Sequence, residues 1–243
     1  MGRTWKIKDR RSRIAAEFRA LHTPQAHRRA PPRKAVVPVG TVESLRKPVI
    51  HPVITTPRLL LRPWSDEDSS PFAALNADPR VMEYFPSVLD RSQSDAQVAR
   101  IRAHFDRHGY GAWAVEVPGV SKFVGYVGLG MPRFNAAFTP CVEIGWRLAY
   151  EHWGHGYATE AAQAAVQFGF ENLQLDEIVS FTVPANSRSW RVMERLGMIH
   201  SPAEDFDHPL VPEGHPLRRH VLYRLSRDCW RTVPGICRTD RRF

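Results

Sequence analysis

Three groups of residues in this 243-residue chain have the types and spacing to do chemistry. The first is Trp153-Gly-His-Gly-Tyr-Ala-Thr-Glu160. Gly154 and Gly156 let the backbone turn tightly and pass close to a ligand. Ala158, Ala161/Ala162, Ala165/Val166 and Gly169 follow at helical spacing, so a helix begins here and shows a small, smooth face to a sheet. The first N–H groups of a helix have no internal partner and carry partial positive charge. Such a turn is a seat for an anion, with a diphosphate as the natural occupant; a plain strand-to-helix connection is the alternative. It is not a dinucleotide fingerprint, because the third glycine would fall at Thr159 and no acidic residue closes a second strand at the right distance.

The second group lies on Val142-Glu-Ile-Gly-Trp-Arg-Leu148. Strand alternation sets Glu143, Gly145 and Arg147 against Val142, Ile144, Trp146 and Leu148. Glu143 could face a cleft and accept a proton, or it could pair with an arginine such as Arg147. The third group is Asn186-Ser-Arg-Ser189, where Ser189 could donate a hydrogen bond to a ligand or help Asn186 cap a helix. His152 and His155 are three apart but have no carboxylate at metal spacing, so no metal is expected.

The surrounding elements must hold these groups in place. The pattern predicts a strand at Arg58–Arg62, a helix from Ser65 to about Asn76, and a short helix opened by Pro79. A longer helix should start at Ser92 or Ser94 and stop at Gly109. A hairpin joins Trp113–Val117 to Phe123–Leu129. The strand at 142–148 and the helix at 157–170 follow, then a strand at Ile178–Val183 and a helix from Ser187 to Leu196. A Pro- and His-rich loop, 201–218, leads to a last strand, His220–Leu225. This is a mixed α/β (α+β) order in one domain, 52–230.

The formal net charge of +9 invites a nucleic-acid reading, but its location argues otherwise. Residues 1–50 hold 13 Lys/Arg against 3 Asp/Glu, whereas residues 51–230 hold 17 against 21. Residues 1–51 read as a basic, Pro/Arg-rich extension with the composition of disorder, and 231–243 as an Arg-rich tail. Nucleic acid is expected, if anywhere, only on residues 1–50. The slightly acidic domain favours cationic partners by long-range attraction. No apolar run is long enough to span a membrane, so no membrane partner is expected. Three scattered cysteines (Cys141, Cys229, Cys237) fit a reduced, cytoplasmic protein.

Seven segments occur together in a recognisable order. They are Thr56–Arg62 with Asp68, Asp78-Pro-Arg-Val-Met82, Glu143-Ile-Gly-Trp146, Gly154–Glu160, Asn186-Ser-Arg-Ser189, Glu194-Arg-Leu-Gly-Met198 and Tyr223-Arg-Leu225. Across about 55–230 the chain resembles the GNAT superfamily of acetyl-CoA-dependent N-acetyltransferases, in its RimJ/RimL-like branch. The resemblance implies a splayed, mostly antiparallel mixed sheet flanked by helices. It implies coenzyme A in the gap, on Gly154, His155, Gly156, Tyr157, Ala158 and Thr159. The main chain at Trp146, Arg147 and Leu148 would pair with the pantetheine arm, and a main-chain N–H near Trp146 or Arg147 would meet the oxyanion. Asn186 and Ser189 would approach the cofactor from the other side.

In the same family pattern Glu143 would be the base, acting through water, and Ser189 the donor to sulfur. No covalent enzyme intermediate is implied. The acceptor would be a protein or peptide N-terminus or a small-molecule amine, shaped by loops 131–140 and 201–218, with Trp153, Asp205 and His208 as substrate contacts. A monomer or homodimer is expected. Two positions depart from the pattern: Glu151 stands where Gln or Arg is common, and Met193 where many members carry a tyrosine acid. The missing tyrosine keeps a catalytically idle acyl-CoA sensor as an alternative.

Overall fold

The computed structural model describes residues 51–232, so the expectations for residues 1–50 and for most of the tail lie outside the described residues. The elements, in order, begin with β1 (Ile54–Thr55) and β2 (Leu60–Arg62). Helices α1 (Ser69–Ala77) and α2 (Arg91–His108) come next, then β3 (Ala112–Val117), β4 (Ser121–Gly130) and β5 (Glu143–Leu148). Then come α3 (Tyr157–Glu171), β6 (Glu177–Thr182) and α4 (Ser187–Arg195). The chain closes with β7 (Ile199–His200), β8 (Phe206–Asp207), β9 (Arg219–Ser226) and α5 (Arg227–Thr232). The strands form one mixed sheet in the order β1-β2-β3-β4-β5-β6-β9-β7, with β8 added on β9. Every pairing is antiparallel except β5 with β6. The mixed α+β class with a mostly antiparallel sheet is as expected.

The β5–β6 junction shapes everything that follows. The two strands share a single register pair, Glu143 with Val179. Val179 N–H donates to the Val142 carbonyl at 2.9 Å, and Ser180 Oγ donates to the Ile144 carbonyl at 2.9 Å. Beyond Ile144 no further β5–β6 pairing exists among the described residues, and the sheet forks.

Helix α3 packs on one face of the sheet, burying Ala161, Ala165 and Val166 with Ile144, Ile178 and Leu225. Contact is close enough that a Cβ on Gly169 would lie 2.8 Å from Ile178 Cδ1. A second cluster around Trp64, Phe72, Leu75 and Phe123 lies under α1 and α2.

Three local expectations are corrected. Residues 79–87 form turns rather than a helix. Asp78 Oδ1 accepts from the Arg80 N–H at 2.9 Å, and the Asp78 carbonyl takes the N–H groups of both Val81 and Met82. These are the bonds of a single helical turn, which goes no further: Phe85 N–H bonds back to the Met82 carbonyl, and Pro86 has no N–H to add. Helix α2 is capped by Asp90, not by Ser92 or Ser94: Asp90 and Gln93 exchange side-chain-to-backbone bonds of 2.7 and 2.9 Å. The loop 201–218 holds strand β8.

The start of the domain is fixed by a buried carboxylate. Asp68 is 2% exposed and takes a forked pair of bonds from Arg62 (2.8 and 2.9 Å) and one from the Ser65 N–H (2.7 Å). Burial opposes its ionisation, but the Arg62 guanidinium and the Ser65 N–H outweigh that and hold it below the usual carboxylate range. Its stabilisation is therefore present above the unfolded-state value near about 4 and is lost as pH falls through the lower folded value. Asp68→Ala leaves Arg62 half-paired in a buried setting. It is expected to cost about 3–5 kcal/mol in urea unfolding near neutral pH, with a smaller penalty at low pH.

Candidate active site

A cleft of about 1110 Å³ opens at the fork. In an extended strand a residue's N–H and C=O emerge on the same edge, and that edge alternates along the strand. The Ile144 carbonyl points at β6, where Ser180 meets it. Trp146, two residues on, therefore turns its N–H and carbonyl toward the space that β6 has left. Its main chain is an unpaired strand edge inside the cleft. The Leu148 carbonyl, next in that series, is already taken by Trp153 Nε1–H at 2.8 Å.

Gly154 and Gly156 both sit in the left-handed region, at φ 79 and 80. Together they swing the chain from the turn after β5 into α3, so the first amides of α3 point outward without intrahelical acceptors. Arg58, which the motif contained but no role was given to, braces this turn. It donates to the His155 carbonyl at 3.0 Å, lies over the Tyr157 ring at 5.1 Å, and pairs with Glu160 at 2.6 Å. Thr56 Oγ1 donates to the same carboxylate at 2.7 Å. Glu160 would otherwise put a bare negative charge beside an anion seat; Arg58 offsets it. His155 itself stacks on Tyr157 at 5.3 Å.

Glu143 lines the cleft just where the strands part. Burial raises its carboxyl to about 8. No side chain among the described residues pairs with it. Arg147, the expected alternative partner, donates instead to Asn76 Oδ1 and lies over the Phe85 ring at 4.1 Å. Gly145 follows Glu143 on the same face, and a Cβ placed there would come to 3.8 Å from Glu143 Oε1. The missing side chain keeps open space beside the carboxyl.

Across the fork, the Asn186 side chain caps α4 by accepting from the Ser189 N–H at 3.3 Å, and it donates to Thr182 Oγ1 at 3.0 Å. Capping is thus real, and it leaves the Ser189 hydroxyl in the cleft lining. Met193 is core, 1% exposed, so its position offers no acid.

The cleft brings together Glu143, Trp146, Arg147, Leu148, Trp153, residues 154–159, Asn186, Ser189 and His208. It does not include Asp205, whose carboxylate is bound to His200 Nε2 at 2.7 Å. Among the lining residues that sequence reading missed are Arg58, Phe181, Arg188 and Arg191 of α4, and the wall Tyr84-Phe85-Pro86 from the turns after α1. The signal for that wall was the aromatic pair closed by proline, set in a segment expected to be helical.

This arrangement can seat an anion on a glycine turn, pair an extended chain along a free strand edge, and set a high-pKa carboxyl beside their junction. The description "Acetyltransferase (GNAT) domain" matches residues 58–199, and the chain belongs to that family of N-acetyltransferases. Among similar proteins, the YkkB protein of Bacillus subtilis (strain 168) is 32% identical over 149 residues, which cover 61% of this chain and 86% of that protein. A crystallised acetyltransferase from Agrobacterium tumefaciens is 27% identical, with a TM-score of 0.58 over 80% of this chain and 99% of its own. Mycobacterium smegmatis RimJ, solved in complex with CoA-disulfide, shares the fold at 19% identity, with a TM-score of 0.59 over 74% of this chain and 90% of its own. Among the described residues no helix is long and apolar enough to cross a membrane.

Proposed function

We propose that this protein transfers an acetyl group from acetyl-CoA to a primary amine by direct attack, without a covalent enzyme intermediate. The observation that carries this reading is the geometry of the fork: the Glu143 carboxyl lines the cleft where the strand edge at Trp146 becomes free, and burial raises that carboxyl above its ordinary value. The residues suit the donor. The glycine turn and the first amides of α3 would hold its diphosphate, Arg58 would keep Glu160 from repelling it, and the Trp146 main chain would pair with its extended arm.

Acetyl-CoA supplies the activated acetyl group as a thioester. The chain must then hold the amine against the thioester carbon and remove a proton from it. Glu143 takes that proton, directly or through one water. The Trp146 N–H donates to the thioester oxygen as charge grows there. Ser189 donates a hydrogen bond to the sulfur. An N–C bond forms as the C–S bond breaks, the sulfur leaves as a thiol, and a protonated amine loses one proton net to solvent.

Calorimetry with acetyl-CoA and thiol release with an amine panel test this together. Binding heat with amine-dependent thiol release is the expected result. Heat without thiol release for any amine would support the sensor reading instead, and no heat at all would remove both.

A further inference from the structure

The two faces of the cleft differ in chemistry, and the difference bears on the acceptor. Glu143 and Val179 are register partners, and so are Phe181 and Leu222. Alternation therefore sets Phe181 and His220 on the sheet face that carries Glu143. On that face the cleft wall continues through His208, Leu210, Val211 and Leu217. Behind it stand further rings. Phe206 lies 5.5 Å from Phe181 and 4.7 Å from Phe138, and Phe134 lies 4.5 Å from His208. Tyr84 and Phe85 line the cleft as well.

This wall carries no charge that could hold a second ammonium group. His208 and His220 are 5.0 Å apart. Burial, with each other's charge as a further cost for His208, keeps both uncharged at neutral pH, His208 down at about 4. Of the acidic residues in the neighbouring loop, Glu213 is exposed and does not line the cleft, and the other three are paired with β7, β9 and Arg218. Glu204 pairs with Arg224 at 2.8 Å, Asp205 with His200 at 2.7 Å, and Asp207 with Arg218 and Arg219 at 3.5 and 3.4 Å. Of the two glutamates in the lining, Glu160 is tied to Arg58, and Glu143 is mostly protonated at pH 7. The net acidity of residues 51–230 is thus not concentrated in the cleft lining, where the two carboxyls are Glu143 and Glu160.

We propose that the acceptor is a primary amine borne on an aromatic body, an arylalkylamine, whose ring lies against the wall of Phe181, Leu210, Val211 and His208. Aromatic edges and faces in that wall would meet the ring in offset or edge-on contacts, which add to the gain from burying its area. The amine would then reach toward Glu143 on the same face. A polyamine would bury its remote ammonium groups among neutral rings without a partner, which is costly. This rests on the acetyl-transfer reading above.

The test is steady-state thiol release by the full chain with acetyl-CoA and, in parallel, phenethylamine, tryptamine, spermidine, lysine and a tetrapeptide with an N-terminal alanine. The aromatic amines are expected to show kcat/KM at least tenfold above each of the others. Leu210 is 68% exposed, so Leu210→Asp tests the wall without disturbing the core. That variant is expected to raise KM for phenethylamine at least fivefold while KM for acetyl-CoA stays within twofold. Faster turnover of spermidine, lysine or the peptide overturns the proposal and leaves acetyl transfer standing, as does an unchanged phenethylamine KM in Leu210→Asp. Thiol release with none of the five overturns it as well; release with any other amine of a wider panel then keeps the acetyl-transfer reading, and release with none removes it too.

Discussion

Glu143→Gln is expected to lower kcat by about 10²-fold or more, the usual contribution of a positioned proton acceptor. Binding of acetyl-CoA should change by less than about threefold, because Gln keeps the shape and removes only the basicity. The pH profile carries the sharper signature. With its carboxyl at about 8, Glu143 is mostly protonated at pH 7 and becomes a base as the pH rises. The kcat of the unaltered protein should climb about tenfold per pH unit below 8 and level off above it. In Glu143→Gln that limb should vanish, leaving only whatever ionisation belongs to the bound amine. Stopped-flow or steady-state thiol release from pH 6 to 9.5 measures both. Equal kcat values for the two proteins near neutral pH would take the base role away from Glu143.

The second large effect is expected at the turn. A Cβ on Gly154 meets nothing within 4 Å, so Gly154→Ala adds backbone strain without a clash. At φ 79 that strain costs on the order of 1–3 kcal/mol, relieved if the turn relaxes and the amides swing away. Acetyl-CoA affinity by calorimetry should therefore fall about 5- to 150-fold, with KM for the amine little changed. Gly156→Ala carries the same strain, and its Cβ would meet the Arg58 guanidinium at 3.5 Å, an ordinary contact, so a loss of the same size is expected. Unaltered affinity in both variants would mean that the donor's diphosphate does not sit on these amides.

Much of this frame was legible in the residues because it rests on short-range rules. Alternation along 142–148 set Glu143 apart from Ile144, and Gly109 and Gly197 marked helix ends through their left-handed turns. Asn186 capped its helix as its side chain predicts. What escaped depends on partners far away in the chain. Arg58 gains its purpose only when α3 brings Glu160 and the His155 carbonyl beside it, about a hundred residues later in sequence. The shifted pKa of Glu143 comes from burial, which no spacing reveals. The segment after Asp78 reads as helical because Asp78 and Pro79 suit a first turn, and they do make one, but it stops before Pro86, which has no N–H to continue it. Asp205 looked available in a His-rich loop, but His200 claims it.

The branch in the sheet hangs on little. Its last stitch is one hydroxyl, Ser180, reaching the Ile144 carbonyl, where a longer strand pair would have used backbone alone. The point at which the two strands part thus rests partly on a side chain and not on the ladder alone, so a substitution at position 180 is expected to move the floor of this slot while the backbone bond of Val179 to Val142 stays.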